Sequence, residues 1–246
     1  MCMLPNSEVL LVDEGNRKLK ILNSSYKVIN YCDVHETPYY VCYIGNNTVV
    51  AGLGGIQYVN VSGKIKLRQL TKLDHKCLDI ACHGDTLYVS SSDTIYKYDK
   101  NCKQKQVIYQ FGEIRTRFNI NPIAISDNGE RLYFMTVTGL ATIVVKGNHI
   151  FSSQIDDYGI RDICIAGEGI VIVLDVKNNV HQLDYTGKKH RTVDSKPIDI
   201  SIASSMCFDR ERCRLIVGGF QDKIHVYKCQ VLPNYISIDI YSRIPT

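Results

Sequence analysis

The chain has 246 residues, and its hydrophobic fraction of 45% is too high for an intrinsically disordered protein. Its 29 Lys and Arg against 25 Asp and Glu give a net charge of +4, which is less than is usual for a nucleic-acid binder that relies on bulk charge. The first residues lack the basic segment and the apolar length of a signal peptide, and no stretch approaches the roughly 18 apolar residues of a membrane span. These features predict a globular cytoplasmic protein without a membrane partner.

Six apolar segments, each ending on a small or acidic residue, recur at intervals of 39 to 45 residues. In chain order they occupy residues 10–13, 49–52, 88–91, 133–136, 172–175 and 216–219. An interval of this length is typical of β-propellers, in which each blade is a sheet of four strands. We therefore expect six copies of one four-stranded unit.

The remaining strands of each unit are also visible in the sequence. First strands are predicted at 39–43, 78–82, 123–126, 162–165 and 205–208, and glycine- or asparagine-containing turns such as 83–85 and 127–129 follow them. Third strands alternate polar and apolar residues at 95–98 and 224–227, and fourth strands are predicted at 26–29, 106–109 and 235–240. The prediction is an all-β, six-bladed propeller of four-stranded antiparallel blades that forms a single domain over residues 1–246.

The first blade is predicted to lack most of its inner strand. Cys2 lies 11 residues before Asp13, just as Cys164 lies 11 residues before Asp175. Residues 1–4 then correspond to the end of a first strand whose beginning is absent. This pattern predicts that the chain is the C-terminal portion of a longer protein.

The ten cysteines form no CxxC pair, and several lie within apolar strand-like segments. We expect reduced, mostly buried thiols. The nearest approach to a metal cluster combines His75 and Cys77 with Cys82 and His83, but the last two belong to a strand and to its turn and would point apart. No phosphate-binding loop or nucleophile elbow is present, so the sequence predicts no metal, no cofactor and no catalytic residue.

The segment VDEGNRKLKIL, residues 12–22, resembles the NHL repeat, whose core is V-x-D-x-x-N-x-x-[LIV]-x-[LIV]. Residues 173–183 form a weaker copy, and residues 221–226 form a third copy that lacks the Asn. The whole chain also resembles the C-terminal region of tripartite-motif proteins of the molluscan type, on the phrases LLVDEGNRKLKILN, YCDV and ISDNGERLYF. A WD40 propeller is disfavoured because the chain has no Trp. Asp13, Asn16 and Asp175 are interpreted as turn-forming residues.

The resemblance implies a monomeric recognition module that binds proteins, or alternatively RNA, through one end of its blades. Loops held there by a rigid scaffold suit recognition. The candidate binding residues are Arg17, Lys18, Tyr39, Lys76, Arg117, Arg161, Lys177, Asn178, Phe220 and Lys223.

The resemblance also implies a role as the substrate-recruiting domain of a tripartite-motif ubiquitin ligase. The RING domain of such a ligase would lie upstream, so the chain by itself is not expected to be an enzyme or to take a small-molecule substrate. A weaker alternative is a calcium-dependent hydrolase with Asp162 and Asp199 near the channel, although Asp162 beside Arg161 also suits an ion pair.

Overall fold

The structure is a computed structural model. It describes residues 1–45, 47–52, 55–111, 121–136, 139–146, 150–153, 159–167, 169–193, 202–219, 223–232 and 235–243. Regular structure in these residues is almost wholly β, with one short 3-10 turn at Pro5–Ser7. Twenty-four strands form six four-stranded antiparallel sheets, and within each sheet strands adjacent in sequence pair with one another.

The chain divides into two compact units, of which the first spans Met1–Ile123. Its first sheet contains β1 (Cys2–Met3), β2 (Val9–Asp13), β3 (Lys18–Leu22) and β4 (Val28–Asp33). The second sheet contains β5 (Pro38–Ile44), β6 (Asn47–Gly52), β7 (Gly55–Asn60) and β8 (Lys66–Lys72). The third sheet contains β9 (Asp79–His83), β10 (Thr86–Ser90), β11 (Thr94–Asp99) and β12 (Gln104–Gln110).

The second unit spans Ala124–Thr246, and the boundary between the units falls within the first strand of the fourth sheet. That sheet contains β13 (Ile123–Ile125), β14 (Arg131–Thr136), β15 (Gly139–Val144) and β16 (Ile150–Ser153). The fifth contains β17 (Ile160–Ile165), β18 (Val171–Asp175), β19 (Val180–Leu183) and β20 (Lys189–Val193). The sixth contains β21 (Ala203–Asp209), β22 (Arg214–Gly219), β23 (Ile224–Leu232) and β24 (Tyr235–Arg243).

The six apolar segments of the sequence repeat are the second strands of the six sheets, namely β2, β6, β10, β14, β18 and β22. The predicted all-β architecture of repeated four-stranded antiparallel sheets is therefore confirmed. The first strand of the first sheet, β1, has two residues and forms two residue pairs with β2. The first strand of the second sheet, β5, has seven residues.

In each unit, the core lies between consecutive sheets. Val171 and Val173 of β18 belong to a buried cluster with residues of the fourth sheet, whereas Ile172 and Leu174 belong to a cluster with residues of the sixth. Successive side chains of a strand point to opposite faces, so an uninterrupted apolar strand indicates a sheet that is covered on both faces. In the first unit, Val59 of the second sheet packs with the first sheet, and Ile56 packs with the third.

The fourth strand of the first sheet begins two residues later than the sequence predicts. The pattern of residues 26–29 indicates a strand, but Tyr26 has a φ of 61° and β4 begins at Val28. The cause is the side chain of Asn23, whose Oδ1 accepts the N–H groups of Ser25 and Lys27, each at 3.0 Å. Such a turn satisfies the backbone locally and delays the strand.

The ten cysteines are free thiols, as expected, but only three of them are buried: Cys77, Cys164 and Cys207. The other seven are partly exposed, so the expectation that most would be buried is wrong. The error arises because apolar neighbours in sequence do not report solvent access: Cys32 lies in the outer strand β4, in which every residue is at least partly exposed, and Cys213 lies in a turn. In the described part of the chain, no helix is long and apolar enough to cross a membrane.

Candidate partner-binding rim

The end of each sheet that carries the second-to-third-strand turn also carries the connection from the fourth strand to the next sheet. We call this end the rim. In the first sheet the N–H of Val34, just after β4, donates to the carbonyl oxygen of Arg17 in the turn at 2.9 Å. In the fifth sheet, the N–H of Val176 in the turn donates to the carbonyl oxygen of Gly159 at 3.2 Å. These backbone bonds hold turn and connection together at the rim.

The rim turn of the first sheet is organised by Asp13. Its Oδ1 accepts the backbone N–H of Asn16 at 3.1 Å, and its two carboxylate oxygens accept the Asn16 amide at 3.0 Å each. The Lys20 ammonium lies 2.5 Å from the second oxygen. Burial by itself would raise the pKa of Asp13, but the hydrogen bonds from Lys20 and Asn16 outweigh it and hold the pKa below its usual value of 3.8.

The rim turn of the fifth sheet is organised by Asp175 in a more buried setting. Asp175 Oδ1 accepts the N–H groups of Lys177 and Asn179, both at 2.8 Å. Its Oδ2 accepts the Asn179 amide at 2.8 Å and lies 2.9 Å from His181 Nε2. Burial acts to raise the pKa of this carboxyl, and the bonds from His181 and Asn179 overcome it, so that the pKa is lowered.

Two of the candidate binding residues join the fifth sheet to the sixth. Asn178 has a φ of 66°, and its Oδ1 accepts the N–H of Ala203 at 3.1 Å. The Arg161 guanidinium donates to the carbonyl oxygens of Ala203 at 2.8 Å and of Val176 at 3.4 Å. Both side chains therefore fix the positions of neighbouring strands and are only partly exposed.

In the first unit, the Lys18 side chain also contacts neighbouring side chains. Its ammonium lies 3.5 Å from the Asp33 carboxylate and 4.6 Å from the centre of the Tyr31 ring. Tyr39 is partly exposed near the start of β5.

Four further candidates are exposed on the rim. Arg17 and Lys76 are exposed in the first unit, and Lys177 and Lys223 are exposed in the second. Within the described residues, the side chains of Arg17, Lys76 and Lys223 form no ion pair or hydrogen bond. Arg117 and Phe220 lie outside the described residues.

The third sheet has the same type of rim turn without the aspartate. Ser91 Oγ accepts the N–H of Thr94 at 3.2 Å and donates to the Asp93 carboxylate at 3.0 Å. The amide of Asn121 donates to the carbonyl oxygen of Ser91 at 2.5 Å, and Ser90 Oγ donates to the carbonyl oxygen of Asn121 at 2.7 Å. Ser91 Oγ thus accepts an N–H three residues later, as Asp13 Oδ1 does in the first sheet, and Asn121 links the turn to the connection that follows the third sheet.

Asp162 does not form the expected ion pair with Arg161. Its two oxygens accept the N–H of Ile163 at 2.8 Å and the N–H of Met206 in the sixth sheet at 2.6 Å. Burial raises the pKa of Asp162, and these N–H donors oppose the rise. Asp79 makes the same pair of bonds in the first unit, to Ile80 at 2.7 Å and to Ile123 at 2.8 Å. Both carboxylates are structural links between segments about 44 residues apart.

Metal ligation gains no geometric support from the part of the chain that is described. No group of three or more His, Cys, Asp or Glu side chains there could hold a metal ion. Asp199, the second candidate for a calcium site, lies outside the described residues.

Sequence reasoning missed a turn that recurs at the opposite end of the sheets. An Asn or Asp side chain accepts the N–H two residues later, the fourth residue has a positive φ, and the fifth is an exposed Lys. The turns occupy residues 23–27, 60–64, 99–103 and 184–188. The signal was present as Asn or Asp followed four positions later by Lys, at intervals close to those of the strand repeat.

Comparison with known proteins identifies no family. No protein-family model matches the chain, and no curated protein shows significant similarity to it. The resemblance to NHL repeats therefore remains a prediction.

Proposed function

We propose that the chain is a six-bladed β-propeller and that it serves as a non-catalytic recognition module, which recruits a protein partner through its rim. The observation that carries the proposal is the division among the basic rim residues. Lys18 pairs with Asp33, and Arg161 donates to a backbone carbonyl oxygen of the next sheet. Arg17, Lys76 and Lys223 are exposed to solvent. Loops that a rigid scaffold holds in place are typical of recognition surfaces, and exposed cations on them can steer a partner that carries complementary negative charge.

The propeller part of the proposal is supported by how each unit packs. Consecutive sheets share a buried apolar cluster, and the fifth sheet is covered on both faces. A blade cannot bury both faces alone, and radial repetition supplies the missing contacts.

A scattering measurement tests whether the six sheets close into one ring. A compact domain of this length has a radius of gyration of about 18 Å. Small-angle X-ray scattering of the purified chain should give a value near this if the ring is closed. A clearly larger radius, or a profile with two separate bodies, would contradict closure.

In the cell, the proposed role is that of the substrate-recruiting end of a tripartite-motif ubiquitin ligase. This role rests on the NHL-like segments at 12–22 and 173–183. Their turns are the ones organised by Asp13 and Asp175, and both lie on the rim. The chain alone is then expected to bind a substrate without transferring ubiquitin to it.

A charge-reversal pair tests the location of the binding surface. The double variant Arg17→Glu, Lys76→Glu alters two exposed rim side chains of the first unit. The matched control Lys27→Glu, Lys64→Glu makes the same change of charge in the exposed turns at the opposite end of the same unit. Affinity purification followed by quantitative mass spectrometry should show proteins that the unmodified chain and the control retain and that the rim variant loses. If both variants retain or lose the same proteins, the rim proposal is wrong.

RNA is the competing partner, because the same exposed cations would contact phosphates. Such binding weakens steeply as salt rises, since counterions are released when phosphates are neutralised. A mobility-shift experiment with a structured RNA at two salt concentrations separates the two partners. Tight, salt-sensitive binding that the rim variant loses would favour RNA over protein, and no binding at low salt would eliminate RNA.

A further inference from the structure

The first unit places a cysteine in the first strand of each of its three sheets. Cys2 lies in β1, Cys42 in β5 and Cys82 in β9, at intervals of 40 residues. The strands β5 and β9 pack against each other, and β1 packs against β5. The repeat therefore brings thiols that are distant in sequence into neighbouring strands.

The two thiols of β5 and β9 meet at one carbonyl oxygen. Cys82 Sγ donates to the carbonyl oxygen of Tyr43 at 2.9 Å, and Cys42 Sγ lies 4.0 Å from the same oxygen. Interaction with the neighbouring Cys82 thiol, together with burial, raises the pKa of the Cys42 thiol.

Cys82 lies one residue closer to the end of its strand than Cys42 does. Both are partly exposed, and Cys82 directly precedes His83, Gly84 and Asp85, which form an exposed hairpin turn. An oxidant therefore reaches Cys82 from the end of its strand. Strand β5 ends at Ile44, two residues after Cys42.

We propose that Cys42 and Cys82 are a modification site for hydroperoxides, at which oxidation forms a disulfide between the second and third sheets. In the first step, the thiolate of Cys82 attacks the peroxide, the O–O bond breaks, and a sulfenic acid forms while an alcohol leaves. In the second step, the sulfur of Cys42 displaces water from the sulfenic acid and forms the S–S bond. Two thiols lose two electrons and two protons, and the hydroperoxide is reduced to an alcohol and water.

Hydrogen peroxide is the probe for this reaction, in which the leaving alcohol is a second water molecule. The native chain is treated with the peroxide, free thiols are alkylated, and the digest is analysed by mass spectrometry without reduction. We expect a peptide pair that joins Cys42 to Cys82 and is lighter by two hydrogen atoms than the two thiol peptides. It should be at least about tenfold more abundant than any other pair, because neighbouring thiols react at high effective concentration. Dithiothreitol should restore alkylation of both residues.

Two variants and one direct measurement keep the proposal open to disproof. Cys82→Ser should abolish the linked peptide, whereas Cys32→Ser, which removes a partly exposed thiol of β4, should leave it unchanged. In the unmodified chain, equal alkylation of Cys42 and Cys82 before and after peroxide would overturn the proposal without any variant. A dominant Cys2–Cys42 linkage would also overturn it, because Cys2 lies in β1, which packs against β5, and would then be the preferred partner of Cys42.

Discussion

The rim turns of the first and fifth sheets are each organised by an aspartate, Asp13 in the first and Asp175 in the fifth, and the two aspartates lie in different environments. Lys20 pairs with Leu11 and His181 pairs with Val173, so each side chain that contacts the carboxylate lies at the same position of the strand ladder relative to its aspartate. The Asp13 and Lys20 side chains are 16% and 29% exposed, whereas those of Asp175 and His181 are 6% and 2% exposed. Water can therefore replace the bonds of Asp13 far better than those of Asp175. One local motif thus stabilises the fold to different extents according to its burial.

The largest expected effect is that of Asp175→Ala. Removing this carboxylate leaves two backbone N–H groups, the Asn179 amide and the buried His181 ring without their acceptor. The free energy of unfolding should fall by about 2–4 kcal/mol, because buried donors that lose a charged acceptor are costly. Chemical denaturation followed by circular dichroism measures the loss. Glu14→Ala is the control, because Glu14 is an exposed carboxylate in the turn after β2, and its effect should stay within about 0.5 kcal/mol.

A second effect should distinguish Lys20 from His181, the side chains that contact the two aspartates. His181→Gln should lower the free energy of unfolding by about 1–2 kcal/mol, because His181 is buried against Asp175. Lys20→Gln should cost less than about 1 kcal/mol, because its ion pair is partly exposed to water. Parallel urea titrations of the two variants test this. Equal losses of unfolding free energy in the two variants would mean that burial does not make the turn of the fifth sheet more stabilising than the turn of the first.

A smaller effect is expected from Asp13→Ala. The variant removes the acceptor for the Asn16 backbone and amide groups, which are exposed to solvent. The free energy of unfolding should fall by about 0.5–1.5 kcal/mol. A loss equal to that of Asp175→Ala, measured under the same conditions, would contradict the difference between the two turns.

The smallest effect is the contribution of Asp13 to the pH dependence of stability. Its pKa in the folded chain is below the usual 3.8, so on acidification the unfolded chain takes up this proton first. The contribution is fully present above that usual value and is lost as the pH falls through the lower folded pKa. Asp13→Asn should therefore unfold with a shallower pH dependence below about pH 4 than the unmodified chain. Thermal unfolding between pH 2 and pH 6 measures the difference, and unchanged slopes would show that Asp13 has no lowered pKa.

Much of the fold could be predicted from local patterns. The second strands are visible for all six sheets as short apolar runs, and in β10, β14, β18 and β22 most residues of the run are buried, as in a sheet that is covered on both faces. The start of β4 is misplaced by sequence reasoning because the Asn23 side chain captures backbone N–H groups, and a strand propensity does not report such a bond. The sequence predicts the rim as one basic set. In the structure this set divides into exposed side chains and side chains bonded to the scaffold. Arg161 and Asn178 belong to the second group because they form hydrogen bonds with the backbone of Ala203, which lies far along the chain.

By itself, the sequence determined the period, the number of four-stranded units and the turn chemistry of Asp13 and Asp175, since these depend on residues within a few positions of one another. Only the tertiary structure decided which carboxylates link separate strands, as Asp79 and Asp162 do, and which thiols meet, as Cys42 and Cys82 do. Those contacts join residues about 40 positions apart. Their geometry is set by the packing of one sheet against the next, which the order of residues within a single strand does not specify.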